Sequence, residues 1–207
     1  MATAFAKLAF TPGVQRAQTR YGSRAANARL EADTDAGYRL GETEAAYIAT
    51  RDHFYLATVG ETGWPYVQHR GGPAGFLRVL DATTLGYADF RGNRQYLSVG
   101  NLAGNDRVAL ILPDLAQRRR LKLWGRARVV EADDDPELIA RLATPGYRAR
   151  IERAWLIQLA AGDWNCPQHL TPRYTQAEID ARIQPLLDEL ARLCAILNPG
   201  EHDDETV

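Results

Sequence analysis

Lysine is almost missing from this chain. Of its 25 basic residues only Lys7 and Lys122 are lysine, and the other 23 are arginine. A coding bias accounts for such a skew, so each arginine has to be weighed by position. Cysteine is scarce as well. Cys166 and Cys194 form no CxxC pair, which excludes a disulfide scaffold and a cysteine-based zinc site. A reducing, cytoplasmic setting is the expectation. No apolar run reaches the ~18 residues of a membrane-spanning helix. The start, MATAFAKLAFTPG, has one lysine and a short apolar stretch ended by Pro12-Gly13, so no export signal is expected. Charge of one sign is lacking too: 25 basic against 26 acidic residues leave a net −1. That balance gives no reason to expect nucleic acid or a membrane surface as partner. Also absent are GxGxxG after the first strand, GxxxxGKS/T, GxSxG and HExxH. Rossmann, P-loop, α/β-hydrolase and zincin chemistry fall away with them.

What remains is 207 residues, 45% hydrophobic and 25% charged. This suits one globular domain with helical additions. Val14, Ala17, Tyr21, Ala25 and Ala28 give residues 14–32 a helical pattern, and Asp33 to Gly37 read as a loop. A short helix is expected over Glu42 to Arg51. From His53 the pattern becomes that of strands: Phe54–Val59, Trp64–Arg70 after the turn Gly60–Gly63, Phe76–Leu80, Leu85–Ala88, Val108–Leu112, Arg118–Val130 and Ala154–Leu159. Helices are expected at Arg94–Ala103 and from Pro136 to Leu142. Strands joined by short turns with few helices between them predict an antiparallel barrel, mainly β with helical additions. Thr175 and Glu178 form a capping box for a C-terminal helix carrying Ile179, Ile183, Leu186, Leu187, Leu190, Leu193, Cys194 and Leu197. Pro185 predicts a kink or break near Gln184, and the acidic tail from Glu201 is expected to fray. Three parts follow: a helical arm over 1–52, a barrel over 53–170 and a helical segment with its tail over 171–207.

Four places carry candidate chemistry. Gly71–Gly75 is a turn that lets backbone N–H groups approach an anion, or simply a wide connection between strands. Gln68, His69 and Arg70 before it and Phe76 after it set donors, a cation and an aromatic beside that loop. Asp89–Gln95 runs from a strand end through Gly92 to a helix start, where Asn93 and Arg94 suit a phosphate; a solvated Asn cap is the plain alternative. Lys122 and Trp124 alternate on the long strand and share a face, toward a cavity or toward solvent. Asp163-Trp164-Asn165-Cys166-Pro167-Gln168-His169 is dense in polar types for a connection. Cys166 and His169 are too few for a structural metal site, so no metal is expected. No residue is singled out as catalytic.

Taken in order, PYVQHRGGPAGFLRVLD, YADFRGNRQYLSVGNLAGNDRVALIL and RLKLWGRARV resemble the flavin-binding split β-barrel proteins related to pyridoxamine 5′-phosphate oxidase. DWNCPQH resembles a C-terminal element of an uncharacterised branch of that superfamily. The resemblance implies a split antiparallel β-barrel and a homodimer with FMN at its interface. It implies cofactor contacts from Gln68, His69, Arg70, Asp89, Phe90, Asn93, Arg94 and Gln95. Lys122 and Trp124 would join them, possibly from the partner chain, as would Cys166, Gln168 and His169. Phe76, Phe90 and Trp124 would wall the flavin ring. Departures count as well. Gly71-Gly72-Pro73 interrupts the basic strand of the true oxidase, and its C-terminal Arg-x-His pattern is not evident. The resemblance therefore implies FMN binding, and an FMN-dependent oxidoreductase acting on a small molecule with NADH or NADPH as donor, more than pyridoxamine phosphate oxidation. A non-catalytic flavin binder, or a barrel using haem or a deazaflavin, are the alternatives.

Overall fold

The computed structural model describes residues 2–31 and 38–197. The expected Asp33–Gly37 loop and the frayed tail lie outside them. Seven strands form one antiparallel sheet in the order β2-β1-β5-β6-β7-β4-β3. They are β1 (His53–Val59), β2 (Pro65–Gly71), β3 (Arg78–Asp81), β4 (Thr84–Phe90), β5 (Arg107–Asp114), β6 (Arg119–Glu131) and β7 (Ile151–Trp164). The fold is mainly β with helical additions, as the strand pattern predicts, and is the split β-barrel that the resemblance implies.

Alternation builds the core. Phe54 and Leu56 of β1, Val108, Leu110 and Leu112 of β5, Leu121 and Leu123 of β6, and Trp155, Ile157, Leu159 and Ala161 of β7 are all buried. Each sits two residues from the next on its strand, so one face of the sheet collects them. Close packing in β6 and β7 requires glycine at Gly125 and Gly162. A Cβ on Gly125 would lie 2.5 Å from the Gln158 carbonyl oxygen, where a bulge shifts the β6–β7 register. A Cβ on Gly162 would lie 2.3 Å from the Tyr38 ring.

Among the described residues, the α-helices before the sheet are α1 (Ala2–Ala9), α2 (Pro12–Arg20), α3 (Arg24–Ala28) and α4 (Glu42–Ala49). The sequence reading had no helix at α1, and its single helix over 14–32 is broken at Gly22, which takes φ 76°. Helix α4 is fastened by polar contacts. Trp164 Nε1 donates to the buried Glu44 carboxylate at 2.8 Å. The Tyr47 hydroxyl donates to the Leu112 carbonyl at 2.9 Å, and Arg51 pairs with Asp114 at 2.9 Å. Burial, with the nearby Asp114 carboxylate, pushes the Tyr47 hydroxyl up to about 12 against the pull of Arg51 and Arg119.

Helix α5 spans Leu97–Gly104, starting three residues later than expected, because Arg94 and Tyr96 take left-handed backbone conformations. Helix α6 (Pro136–Leu142) is capped by Asp135, which accepts from Leu138 N–H at 2.9 Å. Strand β7 extends past Leu159, so Asp163 and Trp164 belong to it and not to a loop. The contacts divide the chain into two compact units. One holds 1–114 and 119–168; the other holds 115–118 and 169–207. In the second, Thr175 and Glu178 cap α7 (Gln176–Leu197) reciprocally, and the helix runs unbroken through Pro185. The expected break is absent. Every described residue of α7 is exposed, so the carbonyl that loses its helical partner to proline is left to water.

Candidate functional site

The site is built where β2 ends, β4 ends and α5 begins. On β2, Tyr66, Gln68 and Arg70 are half-buried while Val67 and His69 are exposed, the alternation of a strand with two unlike faces. Arg70 reaches Asp89 at the end of β4, donating from Nη1 to Oδ1 at 2.8 Å. The other Asp89 oxygen accepts from Arg153 Nη1 at 3.1 Å and from the Trp155 indole N–H at 3.3 Å. One buried carboxylate thus holds two guanidinium groups together. Arg153 also reaches Glu131 at 3.1 Å and Glu152 at 3.5 Å, so three carboxylates surround the two guanidinium groups. Burial disfavours the Arg153 charge, but hydrogen bonds to Glu131 and Asp89 outweigh it and raise its pKa.

From Phe90 the chain turns through Arg91–Tyr96. The Asn93 side chain accepts from Gln95 N–H at 3.1 Å, an Asx turn. Arg94 and Tyr96 have φ of 61° and 55°, a costly conformation for residues with large side chains. The Tyr96 ring lies under the Arg153 guanidinium at 5.0 Å, and its hydroxyl donates to Glu152 at 3.2 Å. No side chain caps α5, so its first-turn N–H groups are available to an anion. Ser98 donates to the Gln68 side-chain oxygen at 2.9 Å and ties α5 to β2.

These residues enclose a cavity of about 260 Å³, open on one side. Its lining carries the guanidinium groups of Arg70, Arg94 and Arg153 against the carboxylates of Asp89 and Glu152. The Nε of Arg70 is buried and has no partner among the described residues. Such a donor set, with an unsatisfied guanidinium and an uncapped helix, suits an anionic cofactor such as a flavin phosphate.

Of the residues singled out from sequence, Gln68, His69, Arg70, Asp89, Phe90, Asn93, Arg94 and Gln95 line this cavity. The His69 ring is nevertheless stacked on His53 at 5.5 Å and edge-on to Tyr55 at 5.6 Å, beside its exposed strand face. Phe76 is buried in the core beneath, stacked on Phe54. Lys122 and Trp124 share a face as expected, but that face meets α1. Phe5 lies 4.8 Å from the Trp124 ring and 4.5 Å from the Lys122 amine, which pairs with Asp163 at 3.0 Å. Cys166, Gln168 and His169 are exposed, and the Cys166 carbonyl accepts from Arg120 at 2.6 Å. None of these last six is among the cavity's lining residues. Arg153, Tyr96, Ser98 and Glu152 line it and were missed. Arg153 stands one residue before the strand start read from sequence, and its partner Asp89 is 64 positions away.

A split barrel with a cationic pocket between a strand end and a helix start defines a class of cofactor-binding β-proteins. The particular family follows from the sequence: residues 40–164 match the pyridoxamine 5′-phosphate oxidase family model, and the chain belongs to that family. No curated protein sequence matches it. Solved structures with a similar fold include HupZ of Group A Streptococcus, at 15% identity and TM-score 0.49 over 65% of this chain and all of that one. General Stress Protein 26 of Bacillus anthracis is 14% identical, with TM-score 0.45 over 59% of this chain and 91% of that one. An FMN-binding protein of Syntrophomonas wolfei is 11% identical, with TM-score 0.44 over 60% and 88%. No helix of the described residues is long and apolar enough to cross a membrane. Among the described residues no cluster of metal-ligating side chains occurs.

Proposed function

We propose that this chain binds FMN in the cavity between β2, the Arg91–Tyr96 turn and α5, and acts as a flavin-dependent oxidoreductase on a small molecule. The observation that carries the reading is the pair Arg70 and Arg153 gathered on one buried carboxylate beside an uncapped helix start. Arg70 and Arg153 are already paired with Asp89, Glu131 and Glu152, so the cation left to neutralise a phosphate is Arg94, which makes no salt bridge among the described residues. Arg94, held over the cavity by its left-handed backbone and its contact with Tyr96, closes on that phosphate from the solvent side. Phe90 and Tyr96 give the ring flat surfaces, and Gln68, its oxygen occupied by Ser98, turns its amide N–H groups to a ring acceptor.

When bound, the flavin supplies hydride and electron transfer, with NADH or NADPH as donor. The protein's part is to hold the phosphate, orient the ring and tune its polar edge. At about 260 Å³ the cavity is smaller than the ~300–1,000 Å³ of most small-molecule sites. This supports a homodimer in which a second chain completes each flavin site; two-fold dimers are the commonest soluble oligomers.

Purification tests the reading directly. The protein should emerge yellow, with the ~450 nm absorption of an oxidised flavin, release FMN on denaturation, and oxidise NADH or NADPH in proportion to flavin content. Release of haem or of a deazaflavin would replace FMN in this site. FMN without nicotinamide oxidation would leave a binding protein.

A further inference from the structure

Helix α7 lies beyond the residues that match the family model, and the flavin reading makes no use of it. Its 22 residues include none that is buried. Ile179, Ile183, Leu186, Leu190, Leu193 and Leu197 are nevertheless 37% to 78% exposed, a large apolar surface to leave in water. Their spacing is 4, 3, 4, 3, 4. A helix that packs on a globular core has a broad stripe of period 3.6. An alternation of three and four is the a/d seam of a coiled coil, held here for almost three heptads with Leu187 and Ile196 beside it.

We propose that α7 pairs with α7 of a second copy of this chain. Ile183, Leu190 and Leu197 take the a positions, and Ile179, Leu186 and Leu193 the d positions. Leu187 and Ile196 widen the seam on either side. The choice of a second copy rests on three features of the helix. No polar residue stands in the seam, so nothing selects a different partner or penalises an identical one. The flanking e and g positions carry Asp180, Arg182 and Glu189, mixed signs that do not repel a like helix. The area suffices: a helix ~33 Å long that covers half of a ~10 Å cylinder buries roughly 500 Å², or about 1,000 Å² for the pair, the threshold for a stable contact. A lipid surface fits less well. The helix carries Glu178, Asp180, Asp188 and Glu189 against Arg182 and Arg192, whereas interfacial helices favour a basic polar face.

Sedimentation equilibrium of the full chain over a dilution series tests the pairing. Leu186→Glu with Leu190→Glu places charge in two seam layers and should weaken self-association by at least about 1,000-fold, since four buried leucines are lost per pair. Ala191→Glu, on the outer b position, adds the same charge away from the seam and should leave association within about threefold. Both variants should keep the circular dichroism of the sheet, because the altered residues are exposed. Three results would overturn the proposal. One is a double variant that associates like the unaltered chain. Another is an Ala191→Glu chain weakened equally. The third is an unaltered chain that sediments as a monomer throughout.

Discussion

Two faces of the barrel present a cation beside aromatic rings, and they solve its electrostatics in opposite ways. On the β6–β7 face, Lys122 meets one carboxylate, Asp163, and the ring of Phe5. The charge is balanced one for one, and α1 covers it. At the β2–β4 end, Arg70 and Arg153 share Asp89, Arg153 also pairs with Glu131 and Glu152, and Arg94 adds a third guanidinium that no carboxylate among the described residues meets at salt-bridge distance. The first arrangement is closed. The second sets Arg94 beside an open cavity, and the buried Arg70 Nε has no partner among the described residues. An aromatic next to a cation is therefore not what makes a site; the surplus of unsatisfied donors does.

The sharpest way to break this contrast is Asp89→Ala. It takes the carboxylate from Arg70 and from the Trp155 indole N–H in a buried place, leaves Arg153 with Glu131 and Glu152, and should cost about 3–5 kcal/mol of stability in a urea titration. A loss under 1 kcal/mol would mean that the two arginines do not depend on this carboxylate. Next is Arg94→Ala. The side chain is exposed, so stability should hold, while FMN affinity should fall by ~1.5–3 kcal/mol, the range of a charge-assisted hydrogen bond. On the closed face, Phe5→Ala removes the rings' contact and the amine's cover. Thermal unfolding should report a loss of roughly 1–2 kcal/mol with flavin content unchanged; a fall in flavin content would tie the two faces together.

The smallest effect concerns Asp52 beside the site. Burial alone would raise its carboxyl, but the hydrogen bond and charge of His53, 2.6 Å away, draw it down. A lowered pKa stabilises the fold above the ordinary carboxylate range, and that contribution is lost as pH falls through the folded-state value. Because the pair is largely exposed, Asp52→Asn should cost no more than ~0.5 kcal/mol at pH 7 and flatten the acid limb of the stability profile slightly. An unchanged acid limb would show that the pair contributes nothing.

Local signals made much of this legible. The β1–β2 hairpin, β5, β6 and α6 are written in alternation, in turn residues and in the Asp135-Pro136 cap. The strand end at Gln68–Arg70 and the turn at Asp89–Gln95 could be read as polar clusters next to glycine. What sequence hid was long-range or conformational. Arg153 becomes part of the site only through Asp89. Arg94 and Tyr96 adopt left-handed backbones that neither residue type announces, so the helix start was placed too early. Gly162 drew no notice in the sequence, yet the Tyr38 ring lies against it and leaves no room for a side chain. Helix α1 has no capping signal, and Phe5 only acquires meaning against Trp124.

The placement of the cofactor is tested most directly by titrating FMN into apoprotein and following quenching of the flavin fluorescence, with Arg94→Ala and Lys122→Ala compared side by side. Binding in the β2–α5 cavity predicts that Arg94→Ala raises the Kd about 10- to 150-fold, while Lys122→Ala leaves it within about threefold because its charge is already matched by Asp163. The reverse pattern, a large loss at Lys122 and none at Arg94, would contradict it and move the cofactor to the β6–β7 face.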